Sequence, residues 1–503
     1  MYTPPSSPLL LQRHIDCEDG GALYSNYLVL DPKQAGFLDL PRLLFSNYVS
    51  ERRYIQYPVT YKEELRGFKR RWFIFISIVA QKLLLLFKGM LEWLGNAFEF
   101  CLNLPSTNGG FLKLIANALK GNVEWPSKDS PSFASVVGYL DPRVDLHSRL
   151  KHGDARYNAY LSMMAAKLSY ENDSFVETTV RDRWKMEFLR CGDFWNDHLE
   201  QHSTRAIMLK DRDLIVLAFR DTRPFDADAW RTTIDLSWYE VEVKLEGEAG
   251  LEWVSIHGGF MKALGLQKGR GGLKEMDEVA EEGKSYAYYE IKEMLRNLLK
   301  ERGTKFIVTG HSLGGALAIL FVGALCMHRE DTILDKLEGV YTFGQPKVGD
   351  KRFGEYMRRK ICRQVKYYRY VYSSDRVPRM PRDGMVFGFK HFGPCLYFNS
   401  LYKGKESPSL SLSLSLSLSL SLNEEPNKNR LLLLWFIPNI MNAIWELMRG
   451  FVMPCLRGRA YRESWVLLLF RMVRIAIPVL SAHSPQEYVN MTQLGSLRSH
   501  EIS

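Results

Sequence analysis

Residues 305–325 constrain the fold more than any other stretch. An apolar, strand-like run, Lys305–Thr309 (KFIVT), enters Gly310-His311-Ser312-Leu313-Gly314-Gly315 and leaves into small and apolar residues, Ala316–Leu325 (ALAILFVGAL). Strand, glycine-bounded turn and helix, in that order, is the setting in which a G-x-S-x-G serine stands on a nucleophile elbow. Gly310 and Gly314 belong there because side chains would clash where the strand and helix pack. The helix N-terminus turns positive potential toward a developing oxyanion. His311, inside the elbow, reads as a packing or supporting residue rather than as the base.

The surroundings repeat the strand–helix alternation. Leu214–Phe219 (LIVLAF), Phe306–Thr309, Val340–Phe343 and Tyr367–Tyr372 read as strands separated by helical stretches. That order predicts an α/β fold with a mostly parallel central sheet flanked by helices. A serine nucleophile needs a base and an orienting carboxylate. Downstream of Ser312 stand His328, His391, His483 and His500. His328 lies on the helix after the elbow, too near in sequence to fold back, and His500 lies in the tail. His391 follows Gly388 and Phe389 in a loop. His483, in the loop Ser481-Ala482-His483-Ser484-Pro485, suits a base. Asp375 follows the strand KYYRYVY, at the strand end where α/β sites are built. Asp383 competes, but within Arg382-Asp383-Gly384 it reads as a turn residue.

Several pieces together resemble the class 3 lipases, an α/β-hydrolase family: AFRDT (218–222), HGGF (257–260), VTGHSLGGAL (308–317), FGQPKVGD (343–350) and SSDRVPRMP (373–381). FDADAW (225–230), DLSWYE (235–240) and HSPQEYVN (483–490) look more narrowly like the plant oil-body lipases. The resemblance implies Ser312 as nucleophile, Asp375 as acid and His483 as base. It implies the backbone N–H groups of Leu313 and Thr222 as oxyanion donors. It makes the segment after Thr222 a lid, and Trp230, Ile234 and Trp238, four apart, suggest an amphipathic helix there, preceded by Phe225. The implied function is hydrolysis of triacylglycerol or other acylglycerols at a lipid-droplet monolayer or membrane surface, with no metal and no cofactor. A phospholipase A1 or galactolipase with the same triad is the alternative enzyme. A catalytically impaired lipid-droplet-binding protein is the alternative from another class. One departure bears on that choice. The family pattern at the oxyanion strand end is F-R-G-[ST]; here it is Phe219-Arg220-Asp221-Thr222. Asp pinches this turn if the position requires φ > 0, and it sets a carboxylate beside a hole meant for an anion.

The 503 residues divide into an N-terminal region (1–150), the hydrolase core (151–403), a low-complexity insertion (404–429), apolar C-terminal segments that carry His483 (430–495) and a tail (496–503). Within the first, Trp72–Phe100 is apolar but broken by Lys82, Lys88, Glu92 and Glu99. On a helical wheel these, with Gln81 and Asn96, share one stripe roughly 120° wide. Such a helix lies in an interface more readily than it spans a bilayer, where spanning drags charges through hydrocarbon. Pro105 and the following Ser-Thr-Asn-Gly-Gly run end it. Ser409–Leu422 is seven Ser-Leu pairs, the pattern that a TC dinucleotide repeat read in triplets would encode, and is expected to be a disordered insertion. Leu431–Pro454 and Trp465–Leu480 are apolar with sparse arginines and are interrupted by Pro438, Pro454 and Pro478.

Composition narrows the partners. Apolar residues make up 46% and charged residues 25%, which excludes a wholly disordered chain. A mean hydropathy of -0.20 excludes a polytopic membrane protein. The net charge is +10, and much of it sits in Lys351–Arg382, where eleven Lys or Arg face only Glu355 and Asp375. No zinc-finger spacing, RRM signature or basic zipper accompanies it, so nucleic acid is not the expected partner. Anionic headgroups fit better, with a solvated basic face as the bland alternative. Seven scattered cysteines without a C-x-x-C pair point to reduced thiols and a cytosolic face; the resemblance implies that this face is that of the lipid droplet or, second, of the endoplasmic reticulum. The N-terminus shows no basic n-region followed by an apolar core, so no cleavable signal is expected. Oligomeric state is not legible.

Overall fold

The run Leu214–Phe219 is buried at every position, the pattern of a strand covered on both faces. It lies parallel to Lys305–His311, which is parallel to Leu337–Phe343, then Lys366–Tyr372, then Cys395–Phe398. Antiparallel strands Gln201–Asp211 and Glu187–Asn196 extend one side. Lys403–Ser407 and Ser496–Leu497 extend the other, giving a nine-stranded sheet. The computed structural model describes residues 27–36, 39–45, 53–57, 67–148, 150–154, 156–244, 251–266, 284–361, 365–373, 375–381, 388–407, 432–458, 461–476 and 483–497. The Ser-Leu repeat, Asp383, His500 and Pro478 lie outside them.

Alternate residues of each strand feed two cores. Ile215, Leu217, Phe219, Phe306 and Val308 pack on one face with the helices Gly258–Leu264, Ala287–Leu298, Leu313–Met327 and Lys351–Lys360. Leu214, Val216, Ala218, Ile307 and Phe343 pack on the other with the helices Tyr157–Leu168 and Pro485–Leu494. This is the α/β-hydrolase arrangement the sequence implies, with a mixed, mostly parallel sheet between helical layers.

A separate four-stranded antiparallel sheet joins Ile55–Gln56, Tyr27–Leu30, Trp238–Lys244 and Leu251–His257. It corrects the lid pattern. The helix after Thr222 runs only from Ala227 to Ile234, and Trp238 opens a strand and is buried with Leu28, Leu30, Ile74 and Ile78. The four-residue spacing therefore does not continue along one helix. Asp235 and Ser237 turn the chain between helix and strand, with Asp235 Oδ1 accepting from both the Ser237 N–H (3.0 Å) and its Oγ–H (2.6 Å).

The segment around residues 72–100 forms one helix, Phe68–Thr107, of 40 residues. It passes through Pro105 and stops at Asn108. It is long and apolar enough to cross a membrane, yet its polarity is inverted relative to a helix of a soluble core. Much of its polar stripe faces the protein, while Glu92 and Asn96 are exposed. Ser77 Oγ donates to the Ile234 carbonyl (2.8 Å), Lys82 Nζ to the Pro32 carbonyl (3.0 Å), and Asn103 Nδ2 to the Ala134 carbonyl (2.9 Å). Lys88 Nζ lies 2.6 Å from Asp228 Oδ2. Trp72, Leu83, Leu86, Phe87, Met90 and Trp93 point outward, with Trp93 66% exposed. A second helix, Phe111–Leu119, buries none of its residues.

The C-terminal segments repeat this inversion. Helices Leu432–Arg457 and Trp465–Ala476 expose Trp445, Phe451, Leu456, Trp465 and Phe470 and bury Glu446, Arg449, Arg471 and Arg474. The first helix continues through Pro438 and Pro454, which do not interrupt it as expected. Val466 and Leu467 pack with Leu102 and Leu140, so the helix Trp465–Ala476 meets the long N-terminal helix in one cluster. Of the basic run after residue 350, Lys351, Arg352, Arg358 and Arg359 are exposed on one helix. Arg369 is turned inward and donates to the Phe392 carbonyl (2.9 Å). The run is thus not one continuous basic face. Among the described residues Cys101, Cys191, Cys326, Cys395 and Cys455 are free thiols.

Candidate active site

Ser312 ends the strand Lys305–His311 and precedes the helix Leu313–Met327 with φ 54° and ψ -121°. A non-glycine residue holds such a conformation only where packing imposes it. The packing is visible at its neighbours. A Cβ on Gly310 would stand 2.1 Å from the Gly314 carbonyl carbon, and one on Gly314 would stand 2.2 Å from the Phe219 carbonyl oxygen. The Ser312 N–H donates to the Phe343 carbonyl (2.7 Å). The strand, the turn and the neighbouring strand therefore fix the serine together.

Asp375 follows the strand Lys366–Tyr372, its N–H donating to the Tyr372 carbonyl (2.9 Å). It is fully buried. One carboxylate oxygen, Oδ1, accepts from the Val377 N–H (2.9 Å). The other, Oδ2, accepts from Tyr488 Oη and lies 2.6 Å from His483 Nδ1. Burial pushes the Asp375 carboxyl up, but the His483 charge and hydrogen bond, Tyr488 and the Val377 N–H outweigh it and hold it below the usual range. Burial pushes the His483 imidazole down, and the facing Asp375 carboxylate overrides this and raises it. His483 Nε2, the other ring nitrogen, is buried and has no hydrogen-bond partner among the described residues. A basic nitrogen oriented by a carboxylate and left unengaged can accept a proton from a hydroxyl. Of the other histidines, His391 Nε2 faces the Pro378 carbonyl (2.5 Å) and His328 Nδ1 faces Tyr288 Oη (2.7 Å).

His311 stacks on His483 with ring centroids 4.4 Å apart and planes 24° apart. Its Nδ1 lies 3.1 Å from Asp221 Oδ2. Asp221, His311 and His483 bring three ligand-type atoms within 4.8 Å of one another.

The expected oxyanion donors are engaged. The Thr222 N–H (2.5 Å) and the Leu313 N–H (3.1 Å) both donate to Asp221 Oδ1. Thr222 Oγ1 faces Thr233 Oγ1 on the helix Ala227–Ile234 at 3.4 Å rather than the serine. Asp221 is not at positive φ, so the substitution of the family glycine leaves the turn unpinched and acts through its side chain instead. Phe225 packs edge-on to Phe98 of the long helix, ring centroids 6.1 Å apart. Trp230 is 38% exposed, and its Nε1–H donates to the Pro224 carbonyl (3.1 Å). Ser312 itself is buried.

Three residues of this site escape reading from sequence. Tyr488 lies in a quoted motif, one turn after His483, but nothing local shows that it reaches Asp375. Tyr170 donates to Asp221 Oδ2 (2.6 Å) from a distant segment. Gly344, at φ +61°, is the third; a Cβ there would meet His483 Cε1 at 2.5 Å.

A family model described as Lipase (class 3) matches residues 216–385. The chain is 36% identical to a Nicotiana tabacum protein named triacylglycerol lipase OBL1, over 86% of this chain and 85% of that one. The Arabidopsis thaliana protein of the same name matches at 36% over 94% and 95%. The Ricinus communis one matches at 32% over 95% and 97%. The fold and a strained serine between strand and helix define a serine hydrolase of the α/β class. The chain belongs to the class 3 lipase family, with full-length similarity to the plant triacylglycerol lipases of that family, and is a carboxylic-ester hydrolase.

Proposed function

We propose that this chain is a triacylglycerol lipase that hydrolyses long-chain acylglycerol esters at the surface of a lipid droplet, from the cytosolic side, by a Ser312–His483–Asp375 acyl-enzyme mechanism. The observation that carries it is Ser312 on a strained strand-to-helix turn, with His483 held on Asp375 at 2.6 Å. Ser312 Oγ attacks the ester carbonyl as His483 Nε2 takes its proton. Asp375 keeps Nδ1 protonated and stabilises the imidazolium. The tetrahedral intermediate needs the Leu313 and Thr222 N–H groups for its oxygen. Its collapse expels the glyceride alkoxide, which takes the proton from His483, and water then attacks the acyl-serine by the same route in reverse.

The location rests on the inverted helices. An apolar face of Trp, Phe, Leu and Met on a helix pinned through its polar stripe suits peripheral attachment to a lipid monolayer. The endoplasmic reticulum surface, where the same face would meet lipid, is the second compartment of the proposal. A panel of trioleoylglycerol, phosphatidylcholine and a galactolipid, assayed with wild type and Ser312→Ala in parallel, tests the substrate. The proposal expects serine-dependent release of oleate chiefly from trioleoylglycerol. Faster release from the phospholipid or galactolipid would replace it with the phospholipase or galactolipase reading.

A further inference from the structure

Asp221 makes four contacts with four different groups, and they divide cleanly by oxygen. Oδ1 takes the Thr222 N–H at 2.5 Å and the Leu313 N–H at 3.1 Å. Oδ2 takes Tyr170 Oη at 2.6 Å and lies 3.1 Å from His311 Nδ1. Asp221, Tyr170 and His311 are all buried. One oxygen is thus anchored by side chains from two other elements, while the other lies between two converging backbone donors beside the serine. An oxygen anion held by two such N–H groups is what an oxyanion hole is built to hold.

We infer that Asp221 is an internal anion that fills the oxyanion hole of the closed enzyme, so that ester hydrolysis waits on its withdrawal. This rests on the reading of Ser312 as nucleophile and of Leu313 and Thr222 as the donors. Two consequences follow from elementary electrostatics. Neither N–H can serve a substrate oxygen while it serves Oδ1. A carboxylate retained next to a developing oxyanion also repels it in a site shielded from water.

The route of withdrawal is covalent. Asp221 is bonded to Thr222, which leads through Arg223–Asp226 into the lid helix Ala227–Ile234. That helix is tied to the long apolar helix through Lys88–Asp228 (2.6 Å) and Ser77–Ile234 (2.8 Å). A lid helix that lifts away at a lipid surface breaks these two ties, reorients the segment at Asp221–Thr222 and turns Oδ1 off the Leu313 N–H. Acid does not substitute for this. Burial pushes the Asp221 carboxyl up, but His311 and the charge of His483, with the Tyr170 hydroxyl, hold it below the usual range. The groups around it are Tyr170, His311 and His483, with Asp375 beyond, and they leave it ionised through the pH range of the assay.

The test uses the full chain as wild type, D221G and D221N, with Ser312→Ala as blank. It measures the labelling rate by a fluorophosphonate probe and the hydrolysis of p-nitrophenyl butyrate below its solubility limit. D221G is expected to raise both rates at least about ten-fold, since one oxyanion donor alone is commonly worth 10²–10³ in kcat. D221N, which keeps the shape but not the charge, is expected to fall between. Its thermal melting point, read beside that of D221G, guards against misfolding. If both variants melt as wild type and label no faster, the inference is overturned and Asp221 is only a clamp for Tyr170 and His311. If neither wild type nor either variant is labelled at Ser312, the reading of Ser312 as nucleophile falls and takes this inference with it.

Discussion

His483 Nδ1 lies 2.6 Å from Asp375 Oδ2, although 108 residues separate them in the chain. The parallel sheet makes the meeting possible. Asp375 stands at the end of the strand Lys366–Tyr372, and the helix after His483 packs in the core on that strand's Tyr370 and Tyr372 face. Asp375→Asn leaves the packing intact but favours the wrong imidazole tautomer. Its kcat on a soluble ester is expected to fall by about 10⁴ with little change in KM. Initial rates over a range of ester concentration check this.

The pH dependence follows from the same pair. Burial lowers and Asp375 raises the His483 pKa, and the net direction is up. The base works neutral, so activity is lost as pH falls through that raised value. The acid limb of kcat/KM is expected above the ordinary histidine value of about 6.5. A limb centred below it would mean that another group limits the rate. Replacing Asp375 by Asn removes the raising charge and should move the residual activity's limb to lower pH.

Gly344 has two reasons to be glycine. Its φ is +61°, and an added methyl carbon would lie 2.5 Å from His483 Cε1 and 2.8 Å from Tyr488 Oη. Gly344→Ala should cost about 1–2 kcal/mol for the left-handed backbone and displace the imidazole from Asp375. Activity is expected to fall much further than the melting temperature. An equal loss of both would point to a general packing defect.

The buried arginines of the C-terminal helices hold Glu487, on the helix that begins just after His483. Arg471 meets Glu463 (2.6 Å), Glu446 (3.1 Å) and Glu487 (2.5 Å), and Arg449 meets Glu487 (2.5 Å). Glu487 and Tyr488 lie on the helix that begins just after His483. Removing one partner of a buried pair strands the others, so Arg471→Ala should destabilise the protein by about 3–5 kcal/mol. Denaturant titration checks this, and Arg471→Met, which fills the space without the charge, is expected to recover only part.

The outward apolar face makes a prediction of its own. Leu86, Met90 and Trp93 are exposed at 65%, 52% and 66%, and fully burying one such side chain is worth about 1.5–3 kcal/mol. Changing all three to serine should reduce partition onto trioleoylglycerol droplets at least about ten-fold, measured by flotation. Raising the salt should weaken only the part of binding carried by Lys351, Arg352, Arg358 and Arg359 on acidic vesicles.

How much was legible follows from the distance over which each signal acts. Ser312 is legible because six adjacent residues and the flanking strand and helix carry the whole pattern. Asp375 and His483 are legible as candidates because loops after strands and apolar segments narrow the choice, while their contact is a product of topology. The wheel of Trp72–Phe100 locates a polar stripe but not which side the protein occupies, and here most of the stripe, Glu92 and Asn96 apart, is inward. Spacing alone wrongly extends the lid helix to Trp238, because Asp235 and Ser237 turn the chain before it. The departure at Asp221 is visible in sequence, but the two N–H groups it occupies converge only in the folded strand and helix. Gly344 and Tyr488 lie within recognisable motifs and Tyr170 does not, but what each of the three touches is set by segments distant in the chain.

The most direct measurement is oleate release from a trioleoylglycerol emulsion by purified wild type and Ser312→Ala, at equal droplet area and protein concentration. The account predicts steady release by wild type and none above background by Ser312→Ala, both proteins melting alike. Equal release by the two would contradict it.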